Sequence, residues 1–204
     1  MSVVEVFADV ACPFTHVGLR RIVAARRARG VGRVRLRCQA WPLEWVNGEP
    51  LDPGVVAHEI AALREQVAPE LFAAFDPARF PSTSIPALAL ASAGYGVSIE
   101  RGEMVSLLLR DELFEQGHDL TDPAVLDRVA ERAALARPDA QAGEELVRAE
   151  YTSGRARGVI GSPHFFTGAG SGVFCPSLRI TKVGEAFRIE EDVEASARLL
   201  DAVL

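Results

Sequence analysis

The chain has 204 residues, of which 49% are hydrophobic and 25% are charged, as in an ordinary globular protein. This composition excludes intrinsic disorder and fibrous repeats, and no apolar run approaches the ~20 residues of a membrane-spanning helix. A formal net charge of −6 argues against nucleic-acid binding, because phosphate contacts need clustered positive charge. The arginine-rich segment 20–37 has the spacing of a solvated helix face. The first residues lack the pattern of a signal peptide, so we expect a cytoplasmic protein that binds neither nucleic acid nor membrane.

The N-terminal residues predict a β-α-β unit. Residues 3–8 form the short apolar run of a buried strand, and Pro13 suits the first turn of the helix that follows. Apolar residues then recur at helical spacing until Gly30 ends the helix. Residues 33–41 alternate between apolar and polar side chains, as in a half-buried strand. Since a crossover through a helix joins parallel strands, we expect the two strands to be parallel neighbours.

Helical periodicity dominates the middle of the chain. Between about 51 and 154 the apolar residues step by three and four, and clusters of proline and glycine mark the helix ends. Strand signals return after this segment. We therefore expect a helical insertion domain over 51–154, set within a discontinuous α/β domain made of 1–50 and 155–204.

The C-terminal part predicts strands and a last helix. Residues 164–167 and 173–175 are typical of strands on either side of a glycine-rich turn at 168–172, and 178–189 indicates a further strand pair. The last helix is expected to bury an apolar stripe of Val193, Ala197, Leu200 and Leu204.

Cys12 stands at the expected N-cap of the first helix, directly after a strand. Backbone N–H groups and the positive end of the helix dipole meet there, and such a site lowers a thiol pKa from ~8.5 to about 3.5–7.5. The hydroxyl of Thr15, three residues on, can donate to the thiolate and stabilise it further. The alternative is that Cys12 is a small buried apolar residue, the commonest role of a free cysteine. Its position alone leaves both interpretations open.

Three features in a fixed order give the chain a family resemblance. They are Cys12-Pro13-Phe14-Thr15 at the first turn, the long helical segment, and Gly161-Ser162-Pro163 before a β-hairpin. In this arrangement the chain resembles the DsbA-like branch of the thioredoxin superfamily, which includes FrnE-type proteins, kappa-class glutathione transferases and 2-hydroxychromene-2-carboxylate isomerases. The resemblance implies an α/β thioredoxin fold with a large all-helical insertion. It also implies that Pro163 is cis beside Cys12 and that the Ser162 backbone faces the substrate sulfur.

The sequence departs from the dithiol members of that family at Thr15, where they carry a second cysteine. The transferases and isomerases usually have serine where this chain has Cys12. We therefore predict a monothiol thiol-disulfide oxidoreductase with Cys12, Thr15 and Pro163 as its catalytic residues. One alternative is a thiol-dependent transferase or isomerase of small aromatic electrophiles, held near Trp41. The other is a binding module that keeps the fold without turnover.

No cofactor is expected to bind tightly, and no histidines or carboxylates have the spacing of a metal site. Glutathione or another low-molecular-weight thiol is the expected co-substrate, so the expected partner is a small thiol or a thiol-containing substrate. The oligomeric state stays open, a homodimer included. Trp41 follows the second strand, where it can form an apolar wall beside Cys12, pack the insertion onto the sheet, or do both. The expected substrate contacts are Pro13, Phe14, Trp41, Ser162, His164 and Cys175.

The roles of the other cysteines and histidines depend on the predicted topology. Cys38 lies on the apolar face of a strand and is expected to pack in the core. Cys175 is expected at the same sheet edge as Cys12, where packing is the simpler role and resolution of a mixed disulfide is the hypothesis to test. His164 opens the hairpin and points to one of its faces, from which it can reach the pocket. His16 is expected at the surface, because one helical residue turns its side chain away from position 12.

Overall fold

A computed structural model of the chain describes residues 2–167, 172–184 and 186–204. Gly168 and Gly170 of the expected turn lie outside the described residues. The described residues form six strands: β1 (Ser2–Ala8), β2 (Val34–Ala40), β3 (His164–Thr167), β4 (Val173–Phe174), β5 (Leu178–Val183) and β6 (Ala186–Glu191). They also form eight α-helices: α1 (Pro13–Ala28), α2 (Leu43–Asn47), α3 (Pro53–Gln66), α4 (Ile85–Val97), α5 (Ile99–Phe114), α6 (Pro123–Arg132), α7 (Ala140–Ala156) and α8 (Ala195–Asp201). Among the described residues, no helix has the length and apolar character needed to cross a membrane.

Four strands form a mixed sheet in the order β2-β1-β3-β4, and β5 pairs with β6 in a separate antiparallel sheet. β1 and β2 are parallel, as the β-α-β pattern predicts, while β3 runs antiparallel to both β1 and β4. Ala8 pairs with Ala40, and Phe7 pairs with His164. The ends of β1 and β2 and the start of β3 therefore lie at one edge of the sheet.

Helix α1 packs against this sheet through small and aliphatic residues. Leu19 and Ile22 are fully buried in a cluster that includes Phe165 of β3. Burying side chains of this size contributes about 1.5–3 kcal/mol each to folding. Pro13 occupies the first turn of α1, where its missing N–H has no helical partner to lose. This packing fixes the start of α1 at the sheet edge where β1 ends.

The middle of the chain is helical, as its periodicity predicts. Helix α4 contacts α5 and α7, and α3 contacts β6. Val56, Ile60 and Leu63 form the buried stripe of α3. The side-chain amide of Gln66 donates to one backbone carbonyl of β6 and accepts from one of its N–H groups. The expected α/β architecture with a large helical insertion is therefore confirmed, while the division of 51–154 from the rest as a domain stays a prediction.

The C-terminal helix differs from the sequence-based expectation. Strand β6 extends to Glu191, so α8 begins only at Ala195 and buries Leu199 and Leu200. Val193, expected in the buried stripe, is 80% exposed. Leu200 of the predicted stripe is buried as expected, whereas Val193 and Leu204, which is 48% exposed, lie outside the helix, so the stripe is wrong at both ends.

Candidate active site

Cys12 and the Ser162–Pro163 pair meet at the sheet edge where β1 ends and β3 begins. Cys12 is the N-cap of α1 with extended backbone angles, and its carbonyl accepts a hydrogen bond from the N–H of His16 at 3.2 Å. The Ser162–Pro163 peptide bond is cis. The Cys12 Sγ donates a hydrogen bond of 3.3 Å to the Ser162 carbonyl. The structure thus brings together residues that lie 150 positions apart in the chain.

Burial dominates the chemistry of the Cys12 thiol. Cys12 is 2% exposed, and this burial raises the pKa of its thiol. Hydrogen bonds from Thr15 and Ser162 lower that pKa, and the Glu59 carboxylate raises it. The expectation of a lowered pKa at the helix N-terminus is therefore wrong, because taking the thiolate out of water outweighs its hydrogen bonds. The thiol is held in its protonated, donating form.

Two hydroxyl groups lie beside the sulfur. Thr15 is fully buried, and its Oγ1 is 2.9 Å from the Oγ of Ser162. The Ser162 Oγ also accepts a 2.9 Å hydrogen bond from the N–H of Asp9. When the Ser162 hydroxyl donates to Thr15, the Thr15 hydroxyl can donate to the sulfur, and this bond lowers the pKa of the Cys12 thiol. Thr15 therefore lies where the motif predicts it.

Asp9 holds the loop between β1 and α1 in place, a role that its position in a turn does not predict. Its Oδ1 accepts from the N–H of Ala11 at 2.9 Å, and its Oδ2 accepts from the N–H of Leu43 at 2.7 Å and from the Ser84 hydroxyl at 3.1 Å. Nη2 of the buried Arg110 donates to the Asp9 carbonyl at 3.1 Å. An aspartate in a turn predicts the hydrogen bond to the nearby Ala11 N–H. The hydrogen bonds to Leu43 and Ser84 depend on the tertiary fold.

His16 is buried, so the surface position expected for it is wrong. It is 1% exposed, and its ring lies 5.3 Å from that of Phe72 and 5.0 Å from that of Phe114 between centroids. Its Nε2 is 2.7 Å from Oε1 of Glu115. Burial lowers the pKa of His16, so at neutral pH the uncharged ring donates from Nε2 to the carboxylate. Helical spacing shows which way the side chain turns, but not that the end of α5 covers it.

Glu59 on α3 is a second carboxyl group near Cys12 that the sequence-based prediction misses. Its side chain is half-buried, and burial raises its pKa to about 7. Charge on Glu59 in turn raises the pKa of the Cys12 thiol, so the two groups repel when both are ionised. The sequence feature that could have pointed to Glu59 is its place between Val56 and Ile60, two buried positions of the same helix.

Cys175 follows β4 and lies next to Pro163. Its N–H donates to the Pro163 carbonyl at 2.9 Å, and its φ of 41° is in the left-handed region. Burial raises the pKa of the Cys175 thiol to about 12, and charge on Cys12 adds to that rise. The structure thus brings Cys175 to the same edge of the sheet as Cys12.

Trp41 and His164 are both buried and pack against aromatic side chains, so the substrate contacts expected from them stay predictions. Trp41 is 4% exposed and packs against Tyr151 of α7, with ring centroids 4.8 Å apart. Trp41 therefore packs the helical insertion onto the sheet, which is one of its two expected roles. His164 stacks on Phe166 with centroids 4.9 Å apart. Since alternate residues of a strand point to opposite faces and Phe165 packs with α1, His164 points away from that helix.

The remaining candidates divide between the site and the core. Pro13 is buried in the first turn of α1, directly after Cys12. Phe14 is half-buried and packs against the helical core. Cys38 is buried in the cluster that joins α1 to the sheet, as predicted. Within the described ranges, no three His, Cys, Asp or Glu side chains are grouped to hold a metal ion.

The sequence model of one protein family matches the chain. That family is the DSBA-like thioredoxin domain, matched over residues 3–188. The match runs from β1 into β6 and includes Cys12 and the Ser162–Pro163 pair. A search of curated proteins finds no match.

Several solved structures share the fold at low sequence identity. A putative protein disulfide isomerase from Nitrosomonas europaea is 13% identical with a TM-score of 0.63, over 98% of this chain and 96% of that one. The cytosolic disulfide reductase DsbM from Pseudomonas aeruginosa is 15% identical with a TM-score of 0.58, over 98% and 94%. A 2-hydroxychromene-2-carboxylate isomerase is 15% identical with a TM-score of 0.58, over 82% and 86%. At these identities the likeness is one of fold.

Proposed function

The chain belongs to the DSBA-like thioredoxin domain family, and we propose that it is a thiol-disulfide oxidoreductase whose nucleophile is Cys12. The observation that carries this proposal is the position of the Cys12 sulfur at the start of α1. It lies 3.3 Å from the Ser162 carbonyl and beside the Thr15 hydroxyl. The family and the thioredoxin fold with its helical insertion, both expected from the sequence, are confirmed.

The reaction begins with ionisation of Cys12. A thiolate cannot donate, so ionisation breaks the hydrogen bond to Ser162 and leaves that carbonyl for an N–H of an extended thiol substrate. The hydroxyl and the backbone N–H of Thr15 stabilise the anion. Because burial opposes ionisation, most of the free protein holds the protonated thiol, and the reaction proceeds from the ionised fraction.

The thiolate then attacks one sulfur of a substrate disulfide, RSSR. A Cys12–S–S–R mixed disulfide forms, and RS⁻ leaves and takes up a proton. Thr15 stands where dithiol members of the family carry a second cysteine, so resolution needs a thiol from outside this motif. Attack by such a thiol, R′S⁻, on the Cys12 sulfur releases the second RS⁻ and leaves Cys12–S–S–R′. A second R′S⁻ then attacks the R′ sulfur, which restores the Cys12 thiolate and forms R′–S–S–R′.

We assign glutathione or another low-molecular-weight thiol as the reductant. The DsbM structure from Pseudomonas aeruginosa has also been solved with GSH, which supports this choice by likeness of fold. The partner is then a small thiol or a thiol-containing substrate. Cytoplasmic location follows from the same proposal, because the cytoplasm holds the reduced thiol pool that such turnover consumes.

A thiol-dependent transferase or isomerase is the second candidate. The observation in its favour is the fold shared with 2-hydroxychromene-2-carboxylate isomerase. Against it, Trp41, expected to hold an aromatic electrophile, is buried against Tyr151. A binding module without turnover is the third candidate, and it differs from the others in having an unreactive Cys12.

Turnover assays separate the three candidates. The wild-type protein, Cys12→Ser and the matched control Cys38→Ser are each incubated with a disulfide substrate and reduced glutathione. We expect disulfide turnover that Cys12→Ser loses and Cys38→Ser keeps. Thiol-dependent conversion of an aromatic electrophile without net oxidation or reduction favours the second candidate, and an unreactive Cys12 favours the third.

A further inference from the structure

Cys12 and Cys175 contact consecutive carbonyl groups of one short segment. The Cys12 Sγ donates to the Ser162 carbonyl at 3.3 Å, and the Cys175 N–H donates to the Pro163 carbonyl at 2.9 Å. Both residues are buried, and both thiols are free. The segment proposed to receive the substrate therefore lies against two cysteines.

The backbone of Cys175 turns its thiol into the protein. Val173 and Phe174 on the edge strand β4 are each 47% exposed, whereas Cys175 is 7% exposed. The change comes at a φ of 41°, a left-handed conformation that few residues other than glycine adopt. A non-glycine residue stays in this region only where the surrounding structure holds its backbone there. Here the result of the turn is an inward-facing sulfur.

The surroundings of the Cys175 sulfur include Cys12. Charge on Cys12 raises the pKa of the Cys175 thiol, and the Leu178 N–H, which donates to the Cys175 carbonyl at 3.2 Å, lowers it. In a mixed disulfide Cys12 cannot ionise, so no charge on Cys12 opposes formation of the Cys175 thiolate at any pH.

We propose that Cys175 is the resolving cysteine, an inference that rests on the oxidoreductase function proposed above. The Cys175 thiolate attacks the Cys12 sulfur of the Cys12–S–S–R mixed disulfide and forms a Cys12–Cys175 disulfide. The departing RS⁻ takes up the proton that Cys175 lost. Two molecules of a low-molecular-weight thiol then reduce the internal disulfide and leave as their own disulfide. In total, one substrate disulfide is reduced and two small thiols are oxidised.

The position of Cys175 in the fold suits this step. A disulfide requires the two Cα atoms to lie within about 7 Å of each other. Strand β4 is two residues long and pairs with β3 at the edge of the sheet, so its end can approach Cys12 without disturbing the central strands. Cys38 lies on β2, the outer strand on the other side of the sheet from β4, and its N–H donates to the Tyr95 hydroxyl at 2.8 Å. Cys38 is therefore a matched buried cysteine without this placement.

The experiment follows the thiols through one turnover. Reduced wild-type protein, Cys175→Ser and Cys38→Ser are each mixed with glutathione disulfide, quenched with acid at successive times, and alkylated. Peptide mapping under non-reducing conditions then identifies the disulfides. We expect a linked Cys12–Cys175 peptide in the wild type and in Cys38→Ser. In Cys175→Ser we expect a glutathionyl group to accumulate on Cys12 and to leave only when reduced thiol is added.

Each outcome tests a separate step. If the wild type accumulates the Cys12–glutathione adduct as Cys175→Ser does, with no linked peptide, internal resolution is overturned while the nucleophilic role of Cys12 stands. If no adduct and no linked peptide form on Cys12 in any protein, the proposed function and this inference both fail. The wild-type map alone decides between these results, so the test stands even where Cys175→Ser folds poorly.

Discussion

The hydroxyl groups of Thr15 and Ser162 are hydrogen-bonded at 2.9 Å, although 147 positions separate them in the chain. This bond joins the first turn of α1 to the segment that enters β3. The Asp9 N–H donates to the same Ser162 Oγ at 2.9 Å, so three segments meet beside the Cys12 sulfur. The reactivity of Cys12 therefore depends on contacts between distant parts of the chain. Each of these contacts can be tested by substituting one residue.

Thr15→Val removes the hydroxyl that stabilises the Cys12 thiolate. Because the Thr15 side-chain hydrogen bond lowers the pKa of Cys12, its loss should raise that pKa. One pKa unit is ~1.4 kcal/mol, the order of one charge-assisted hydrogen bond, so we expect a rise of up to about one unit. The measurement is the pH dependence of Cys12 alkylation, with Thr152→Val on the exposed face of α7 as the control. An unchanged profile in Thr15→Val removes Thr15 from the mechanism.

Glu59→Gln removes the carboxylate that opposes ionisation of Cys12. Since the charge on Glu59 raises the pKa of the Cys12 thiol, the neutral amide should lower it. The pKa of Glu59 is about 7, so the carboxylate is charged mainly above that value and the difference from wild type should appear there. Alkylation of Cys12 should be faster in Glu59→Gln above pH 7 and nearly equal to wild type below it. The exposed Glu65→Gln on the same helix is the control, and equal rates at all pH values contradict the expectation.

Asp9→Ala should destabilise the fold, because it leaves three donors without an acceptor. The N–H groups of Ala11 and Leu43 and the Ser84 hydroxyl all donate to this buried carboxylate. Leaving a buried donor unpaired costs about 1–3 kcal/mol, so we expect a loss of about 2–4 kcal/mol in the free energy of unfolding. Denaturant unfolding measures it. Asp52→Ala, at the exposed N-cap of α3, should cost only about 1 kcal/mol, and an equal loss in both variants contradicts this role for Asp9.

Glu115→Gln should change how stability depends on pH. Burial opposes the charge on Glu115, but hydrogen bonds from His16 and from the backbone N–H groups of Phe72 and Ala73 outweigh it and lower its pKa to about 2. The unfolded chain has a glutamate pKa of ~4.3, so this stabilisation is complete above that value and is lost as the pH falls towards 2.

Unfolding experiments between neutral and acidic pH test that dependence. At neutral pH we expect Glu115→Gln to be about 1–3 kcal/mol less stable than wild type. The difference should shrink as the pH falls from about 5 towards 2. Glu131→Gln, on the exposed side of α6, should follow the wild-type curve. A constant difference over the whole range shows that Glu115 does not act through its charge.

The backbone structure around Cys12 can be predicted from the neighbouring residues, but the pKa of the Cys12 thiol cannot. A strand, a proline and helical spacing predict that Cys12 caps α1, and it does. The direction of its pKa shift depends on burial and on Glu59 and Ser162, which come from other elements of the fold. Sequence patterns report one element at a time, so the low pKa expected for Cys12 left out its burial in the surrounding core.

The same limit explains the other differences. Helical spacing places His16 in the first turns of α1, but the partner that buries it, Glu115, comes from the end of α5. Trp41 follows β2 as predicted, but only the packing of α7 decides that its ring meets Tyr151. Helix faces and strand ends are therefore readable from the sequence, whereas the groups that cover them depend on tertiary packing.

The central claim is that Cys12 forms a mixed disulfide with its substrate. It is tested most directly by peptide mapping of the Cys175→Ser protein after brief reaction with glutathione disulfide and an acid quench, beside the same protein carrying Cys12→Ser. We predict one glutathionyl group, located on Cys12, that forms faster as the pH rises and the thiol ionises. The Cys12→Ser protein should acquire none and should not turn over a disulfide substrate. A Cys12 peptide that stays unmodified, or disulfide turnover that persists in Cys12→Ser, contradicts the account.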